Sequence, residues 1–137
     1  MTNLFIDTDI IIDLLSDRKD FSLYAARIFS LGLKKEVKVY TSSNSIANTY
    51  YILSLRMKIA QSDKLIYNFL KHIEIISVDK SILERAFSSK FGDIEDAIQY
   101  FSALSKGDID YLVTRNITDY KLSSIPVYSS NEILQLI

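Results

Sequence analysis

The chain has 137 residues, of which 48% are hydrophobic and 24% are charged, and its formal net charge is −1. These values fit a single globular domain over residues 1–137 and argue against a disordered chain or one that binds nucleic acid through bulk charge. With no cysteine and only His72 as a histidine, disulfides, thiolate chemistry and histidine-rich metal sites are excluded. The sequence has no signal-like N-terminus and no apolar run of about 18 residues, which predicts a cytoplasmic protein without a membrane segment.

Strand and helix patterns alternate along the chain. Strands are predicted at "NLFID", "VKVYTS", "IEIISV", "DYLVT" and "IPVYS". Helices are predicted at "TDIIIDLLS", "SLYAARIFSLGLK", "SNSIANTYYILSLRMK", "SDKLIYNFLKHI", "DKSILERAFS", "DIEDAIQYFSALSK" and "SNEILQLI". The alternation predicts an α/β fold, a three-layer αβα sandwich with a central, mostly parallel sheet of about five strands. Thr8 is the expected cap of the first helix, and Asp93 that of the sixth.

An acidic group follows the first predicted strand. Asp7 comes directly after an apolar run, and Asp9 and Asp13 follow among Ile and Leu. In parallel sheets ligands bind beyond the carboxyl ends of the strands, near the point where strand order reverses. Asp7 therefore marks the expected position of a site.

Three other segments supply polar side chains that could converge on Asp7. In "FGDIEDAIQY", Asp93 and Asp96 share one face of a helix. Asn48 lies on the helix after the second strand. The last segment, "VTRNITDY", follows a strand and contributes Thr114, Asn116 and Asp119. Oxygen ligands from separate segments suit a hard cation such as Mg²⁺ or Mn²⁺ and do not suit zinc.

Several of these residues also have structural interpretations. Asp93 could serve as a helix N-cap, and Asp9 could be a first-turn acid favoured by the helix dipole. Asp13 is expected to be solvated on the outer face of its helix, and His72 to favour a helix C-terminus. Asp7 and Asp96 have apolar neighbours that such roles do not explain.

The segments "FIDTDIIIDLL", "DIEDAIQYFSAL" and "YLVTRNITDY", in this order and spacing, resemble the PIN domain, the nuclease fold of VapC-type toxins and related ribonucleases. The resemblance covers essentially the whole chain. It implies a cluster of acids that binds Mg²⁺ or Mn²⁺ and the hydrolysis of phosphodiester bonds in single-stranded or exposed RNA.

The resemblance also implies roles for individual residues. Asp7 corresponds to the first acid of the family and Asp96 to the third. Asn116 stands where the fourth acid is usual, so Asp119 is expected to supply that carboxylate. The second acid, usually a Glu, aligns with Asn48, which places the chain in a branch with Asn at this position and leaves open how many metal ions bind.

The implied metal ligands are Asp7, Asp96 and Asp119, and Asp93 joins them as a catalytic acid. The implied second-shell or substrate-binding residues are Thr8, Asn48, Thr114, Arg115 and Asn116. Asp93 or Glu95 would restore the charge missing at Asn48. Arg115 is the expected phosphate contact. A basic rim for the RNA backbone is expected from Lys34, Lys35, Lys38, Arg56 and Lys58, for which a solvated face is the alternative.

The resemblance further implies an antitoxin partner and a homodimer. Tyr50, Tyr51 and Tyr67, on two neighbouring amphipathic helices, could form such a contact surface or could pack in the core. The sequence leaves both interpretations open.

Two alternative functions remain at this point. "FIDTDII" also resembles the haloacid dehalogenase phosphatase signature, in which Asp7 would be a nucleophile and Asp9 a general acid. Alternatively, Asn48 and Asn116 could weaken the acidic cluster enough to leave a non-catalytic binding module. If Asp7, Asp96 and Asp119 lie in one open cleft with strongly raised carboxyl pKa values, catalysis is favoured, whereas a closed ion pair of Asp96 with Arg115 or a lysine favours a structural role.

Overall fold

The computed structural model describes residues 1–16 and 21–137. Within these residues, five strands form one sheet in which every pairing is parallel. The strands are β1 (Thr2–Ile6), β2 (Val37–Ser42), β3 (Glu74–Ile76), β4 (Tyr111–Val113) and β5 (Val127–Tyr128).

Seven α-helices flank this sheet in the part of the chain that is described. They are α1 (Thr8–Leu15), α2 (Ser22–Leu33), α3 (Ser43–Tyr51), α4 (Ser62–Phe69), α5 (Lys80–Phe87), α6 (Ile94–Lys106) and α7 (Ser130–Leu136). A wider π-helical segment, Ile52–Arg56, continues α3, and short 3₁₀ turns follow at Leu70–His72 and Ile117–Tyr120.

Alternate side chains of the central strands fill two cores, one on each face of the sheet. On one face, Leu4 and Ile6 pack with buried residues of α1, α2 and α7. On the other face, Phe5 packs with Tyr100 of α6 and with Tyr120. Burial of both faces is what makes β1 a continuous apolar run in the sequence. The predicted three-layer αβα sandwich is confirmed.

The strand order β3-β2-β1-β4-β5 places the reversal beside β1. The chain builds outward from β1 to β3 and then returns to the other side of β1 with β4. The backbone N–H of Asp7 donates to the Val113 carbonyl at 2.9 Å, so β1 and β4 end side by side. The expected position of a site, at the carboxyl ends of the central strands, is therefore where Asp7 lies.

Local details differ from the sequence predictions. Asp7, not Thr8, caps α1: its backbone is extended and its side chain accepts a hydrogen bond from the Thr8 N–H. The three strands after β2 are shorter than predicted, because pairing ends where the chain turns into a helix or loop. Asp93 caps α6 as expected. None of the helices in residues 1–16 and 21–137 has the length and apolar character required to span a membrane.

Candidate active site

A cavity of about 230 Å³ opens at the carboxyl ends of β1 and β2. Four carboxyl side chains line it, those of Asp7, Asp9, Glu95 and Asp96. The remaining lining residues are Thr8, Ile12, Asn44, Asn48, Ile52, Gln99 and Asn116. The first strand, the first helix, α3, α6 and the loop after β4 thus meet at one place.

Asp7 is the most enclosed carboxylate of the cavity, with 7% of its surface exposed. Its Oδ1 accepts hydrogen bonds from the Thr8 N–H at 2.8 Å and from Gln99 Nε2 at 3.2 Å. Its Oδ2 accepts from the hydroxyls of Thr114 at 3.0 Å and Tyr120 at 2.8 Å. A carboxylate has about four lone-pair positions, so these donors compensate the cost of burying Asp7.

Asp9 lies beside Asp7 at the start of α1. Its Oδ2 accepts from the Arg115 N–H at 3.0 Å and from Asn116 Nδ2 at 3.3 Å. Its Oδ1 is buried and accepts no hydrogen bond from residues 1–16 or 21–137. Burial, reinforced by the charge of Asp7, raises the pKa of the Asp9 carboxyl to about 7.

Asp96 lies in the first turn of α6. Burial, together with the negative charges of Asp7, Asp93 and Asp119, raises the pKa of the Asp96 carboxyl to about 7. The Tyr120 hydroxyl, which donates to Asp7, is also close enough to Asp96 to oppose that rise in its pKa. Burial and the charge of Asp7 in turn raise the pKa of the Tyr120 phenol, so Tyr120 stays a neutral donor. Two arrangements were expected for Asp96, an open cleft with other acids or an ion pair with Arg115. In the structure, Asp96 lies among other acids.

Arg115 instead pairs with Asp13, with Nε 3.2 Å from Oδ2 of that carboxylate. The Arg115 guanidinium also lies over the ring of Phe21, 4.6 Å from its centroid. The prediction that Asp13 is solvated is wrong, because only 1% of its surface is exposed and its partner comes from the loop after β4. The guanidinium is thus engaged beside α1, and its contact with phosphate stays a prediction.

The other predicted site residues lie around the cavity at different depths. Thr8, Asn48 and Asn116 line it, and buried Thr114 reaches both Asp7 and Asp9. Asp119 is exposed on the 3₁₀ turn, near enough to Asp96 to raise its pKa.

The Asp93 Oδ1 accepts from the N–H groups of Glu95 at 2.8 Å and Asp96 at 3.2 Å, so this side chain fixes the first turn of α6. The catalytic roles of Asp93 and Asp119 stay predictions.

Part of the expected basic rim lies at the wrong end of the sheet. Lys35 and Lys38 line a separate cavity of about 660 Å³ at the amino ends of β1 and β2, together with Lys71 and His72. Both lysines come before or at the start of β2, whereas the acidic cavity is at its other end. They therefore cannot border the acidic cavity.

The tyrosines of α3 and α4 are on the surface. Tyr50, Tyr51 and Tyr67 expose 48%, 50% and 67% of their surfaces, and the interpretation that they pack in the core is wrong. Tyr50 and Tyr51 lie on α3 and Tyr67 lies on α4, and these two helices contact each other. We call Tyr50, Tyr51, Leu55 and Tyr67 the tyrosine surface.

The donor set fits a hard divalent cation. No three Asp, Glu or His side chains within residues 1–16 and 21–137 are placed to enclose a metal ion by themselves. Mg²⁺ does not need such a cage, since one or two carboxylates, waters and a substrate phosphate are enough. Among residues 1–16 and 21–137, no hydrogen-bond donor reaches Oδ1 of Asp9. The pKa values of Asp9 and Asp96 are raised, although the charge of Arg115 opposes the rise at Asp9, so both carboxyl groups suit a positively charged ligand.

Sequence reasoning missed part of this site. Asp9 was considered mainly as a first-turn acid, and neither Gln99 nor Tyr120 was predicted. Gln99 lies three residues after Asp96 on the same helix, so helical spacing alone places it on the face of Asp96. No local signal identifies Tyr120, whose hydroxyl reaches Asp7 only because the 3₁₀ turn folds back over β4.

The pH dependence of stability should show the two raised pKa values. The carboxyl groups of Asp9 and Asp96 have pKa values of about 7 in the folded chain, against 3.8 in the unfolded chain. Between pH 3.8 and about 7 the folded chain therefore binds more protons than the unfolded chain. Without divalent cations, we expect the free energy of unfolding to fall as pH rises from about 4 to 7, and Asp96→Asn to lessen that fall. Urea denaturation at pH 5 and pH 8 measures it. Asp63→Asn, at the exposed start of α4, is the control because it removes the same charge outside the cavity. Equal pH dependence in the wild type and Asp96→Asn would contradict the prediction.

Comparisons with known proteins give the family. Residues 3–118 match the family model described as PIN domain. Ribonuclease VapC1 of Aquifex aeolicus is 31% identical over 110 residues, which are 76% of this chain and 75% of the relative.

The fold matches solved structures at lower identity. VapBC2 from Rickettsia felis, bound to a promoter DNA fragment, has a TM-score of 0.70 at 17% identity. The matched region covers 93% of this chain and 98% of the VapBC2 chain. VapC20 of Mycobacterium tuberculosis, titled a sarcin-ricin loop cleaving toxin, has a TM-score of 0.63 at 20% identity, with coverage of 80% and 86%. These likenesses extend over most of each chain, and with the family match they show that the chain belongs to the PIN domain family.

Proposed function

We propose that the protein is a Mg²⁺- or Mn²⁺-dependent endoribonuclease that hydrolyses RNA phosphodiester bonds as the toxin of a toxin–antitoxin pair. The observation that carries this proposal is the open cavity in which Asp9 and Asp96, both with pKa values near 7, flank a buried Asp7. The relative named ribonuclease VapC1 and the toxin VapC20 support the same activity. Membership in the PIN family removes the reason to retain the phosphatase alternative.

Residues at different positions around the cavity have different proposed roles. Asp7, Asp96 and Asp9 would hold the cation, with Asp119 adding charge from the rim. A bound Mg²⁺ or Mn²⁺ supplies charge stabilisation at the phosphate and lowers the pKa of a water molecule. Thr114 and Asn116 hold Asp9 in place, while Asp93 fixes the turn that carries Asp96. An acid such as Asp93 or Asp96 would orient or deprotonate the attacking water.

Cleavage of single-stranded RNA tests this function. With Mn²⁺ we expect wild-type protein to cut and EDTA to stop it. Asp7→Asn and Asp96→Asn should each lower the rate by about 100-fold or more, since each removes a carboxylate that would hold the cation opposite the developing phosphate charge. Asp63→Asn should keep the wild-type rate. Mn²⁺ binding by calorimetry is measured on the same proteins: binding without cleavage would indicate a non-catalytic binding module, and no binding at millimolar Mn²⁺ would contradict the nuclease proposal.

Asn48 determines the charge of the α3 wall of the cavity, where Asn44 is the other polar lining residue of that helix. We expect Asn48→Glu to tighten Mn²⁺ binding by about tenfold, because a further carboxylate then faces the cation. Calorimetry measures the dissociation constant. Asn131→Glu makes the same change at an exposed position on α7 and should leave it unaltered. Equal affinity in Asn48→Glu and the wild type would show that this wall does not face the cation.

Partners are proposed from the surface and the structural neighbours. A toxin–antitoxin complex from Klebsiella pneumoniae has a similar fold, with a TM-score of 0.61 at 22% identity, which supports an antitoxin partner here. We propose that the tyrosine surface forms the homodimer, because four large side chains, each 48% exposed or more, are costly to leave in water.

Sedimentation equilibrium tests the homodimer. Wild-type protein should sediment as a dimer, and the double variant Tyr51→Ser, Tyr67→Ser should raise the dimer dissociation constant by about tenfold or more, since apolar contact area is lost. Phe87→Ser, at a 66% exposed position on α5, is the matched control. A monomeric wild type, or a dimer that the double variant leaves intact, would contradict this assignment and leave the surface free for the antitoxin.

A further inference from the structure

Gln99 is a buried amide at the centre of the site. It lies on α6, one turn after Asp96, and exposes 3% of its surface. Its side chain connects three elements, because it reaches Asp7 at the end of β1, Ser42 at the end of β2 and Ser45 in the first turn of α3. The family resemblance gave this residue no role.

Asp7 on one side and two serines on the other fix the orientation of this amide. Ser42 caps α3, and its Oγ accepts a hydrogen bond from the Ser45 N–H at 3.0 Å. The hydroxyl proton of Ser42 has two acceptors within reach, Gln99 Oε1 and, at 3.2 Å, Ser45 Oγ. The Nε2 group of Gln99 then donates to Ser45 Oγ and, at 3.2 Å, to Asp7 Oδ1. The reversed amide would direct Oε1 at a carboxylate, with no proton between two acceptors.

The two oxygens of Asp7 are held differently. Both donors to Oδ1, the Thr8 N–H and Gln99 Nε2, have fixed positions on helices. At Oδ2, the Thr114 hydroxyl has one proton and two acceptors within reach, Asp7 at 3.0 Å and Asp9 at 3.3 Å. If Thr114 turns to Asp9, one lone pair of Oδ2 becomes free while Oδ1 stays bound. Asp7 can thus offer Oδ2 to a cation without losing its orientation.

We propose that Gln99 is a positioning residue that anchors Oδ1 of Asp7 so that Oδ2 is presented to the divalent cation, with Ser42 and Ser45 holding the other side of the amide. This inference rests on the proposed metal-dependent function. Gln99 ties Asp7 to the helix that carries Asp96 and does so without charge, next to the neutral wall of Asn48. Removing a hydrogen bond to a metal-ligating carboxylate lowers metal affinity by about 10- to 100-fold. The same range is expected when the Gln99 amide is removed.

Gln99→Met and Ser42→Ala test the proposal, with Mn²⁺ affinity from calorimetry as the main measurement. Gln99→Met keeps the length of the side chain and removes the amide, so the Mn²⁺ dissociation constant should rise about 10- to 100-fold. The turnover rate at saturating Mn²⁺ should fall, and the KM for RNA should stay within about twofold, because Gln99 is buried and its amide already contacts Asp7, Ser42 and Ser45. Ser42→Ala removes the hydroxyl that reaches Gln99 Oε1, so the amide is held less firmly, and the dissociation constant should rise by about tenfold.

Two control variants make the same chemical changes elsewhere. Gln135→Met alters an exposed residue of α7, and Ser102→Ala alters a buried serine of α6 that donates only to the Ile98 carbonyl. Both should bind Mn²⁺ like the wild type. Circular dichroism establishes folding, and Ser42→Ala keeps the test valid if Gln99→Met does not fold.

A folded Gln99→Met whose Mn²⁺ dissociation constant stays within about twofold of the wild type, or falls below it, overturns the inference while the proposed nuclease function stands. If Gln99→Met does not fold, the same result in Ser42→Ala overturns it. A wild-type protein that binds no Mn²⁺ fails the proposed function, and the inference falls with it. The two failures are therefore distinguished by whether the wild type itself binds the cation.

Discussion

The hydrogen bonding of one buried carboxylate, that of Asp7, is the constraint on which the site depends. Asp7 ends the innermost strand, where water does not compensate its charge, and burying such a charge without partners costs several kcal/mol, roughly. Its donors come from the start of α1, from α6, from the end of β4 and from the 3₁₀ turn. These segments must dock together before Asp7 is satisfied, so forming the fold and assembling the site are the same event.

The neighbours of Asp7 show the opposite behaviour. One buried oxygen of Asp9 has no hydrogen-bond partner in the part of the chain that the structure describes, and Asp96 lies among acids. The fold tolerates this because the raised pKa lets each group take up a proton near neutral pH instead of carrying an uncompensated charge. A cation would displace those protons and supply the positive charge that the carboxylates lack. The unfavourable clustering of acids in the empty site would thus favour the cation binding that the proposed activity requires.

The sequence predicts the part of this arrangement that periodicity and chain order control. Apolar runs identify the strands, parallel strands bring their carboxyl ends to one edge, and Asp7, Asp96, Asn48 and Thr114 consequently meet. Side-chain pairing between distant segments is not predictable in this way. Asp13 looks like a solvated acid until the loop after β4 brings Arg115 to it. Lys35 and Lys38 are basic in sequence, but only their position at the start of β2 tells which end of the sheet they occupy.

The neutral wall of the cavity has a physical consequence of its own. Four carboxyl groups already line about 230 Å³, and each further negative charge raises the cost of keeping the empty site folded. Asn48 avoids that cost on α3, and Gln99 gives Asp7 a hydrogen bond where a carboxylate would repel it. Under the proposed metal-dependent function, such a site would rely less on the number of charges around the cation and more on how firmly the remaining carboxylates are oriented. Its cation affinity would therefore depend on buried amides and hydroxyls, which composition and net charge do not reveal.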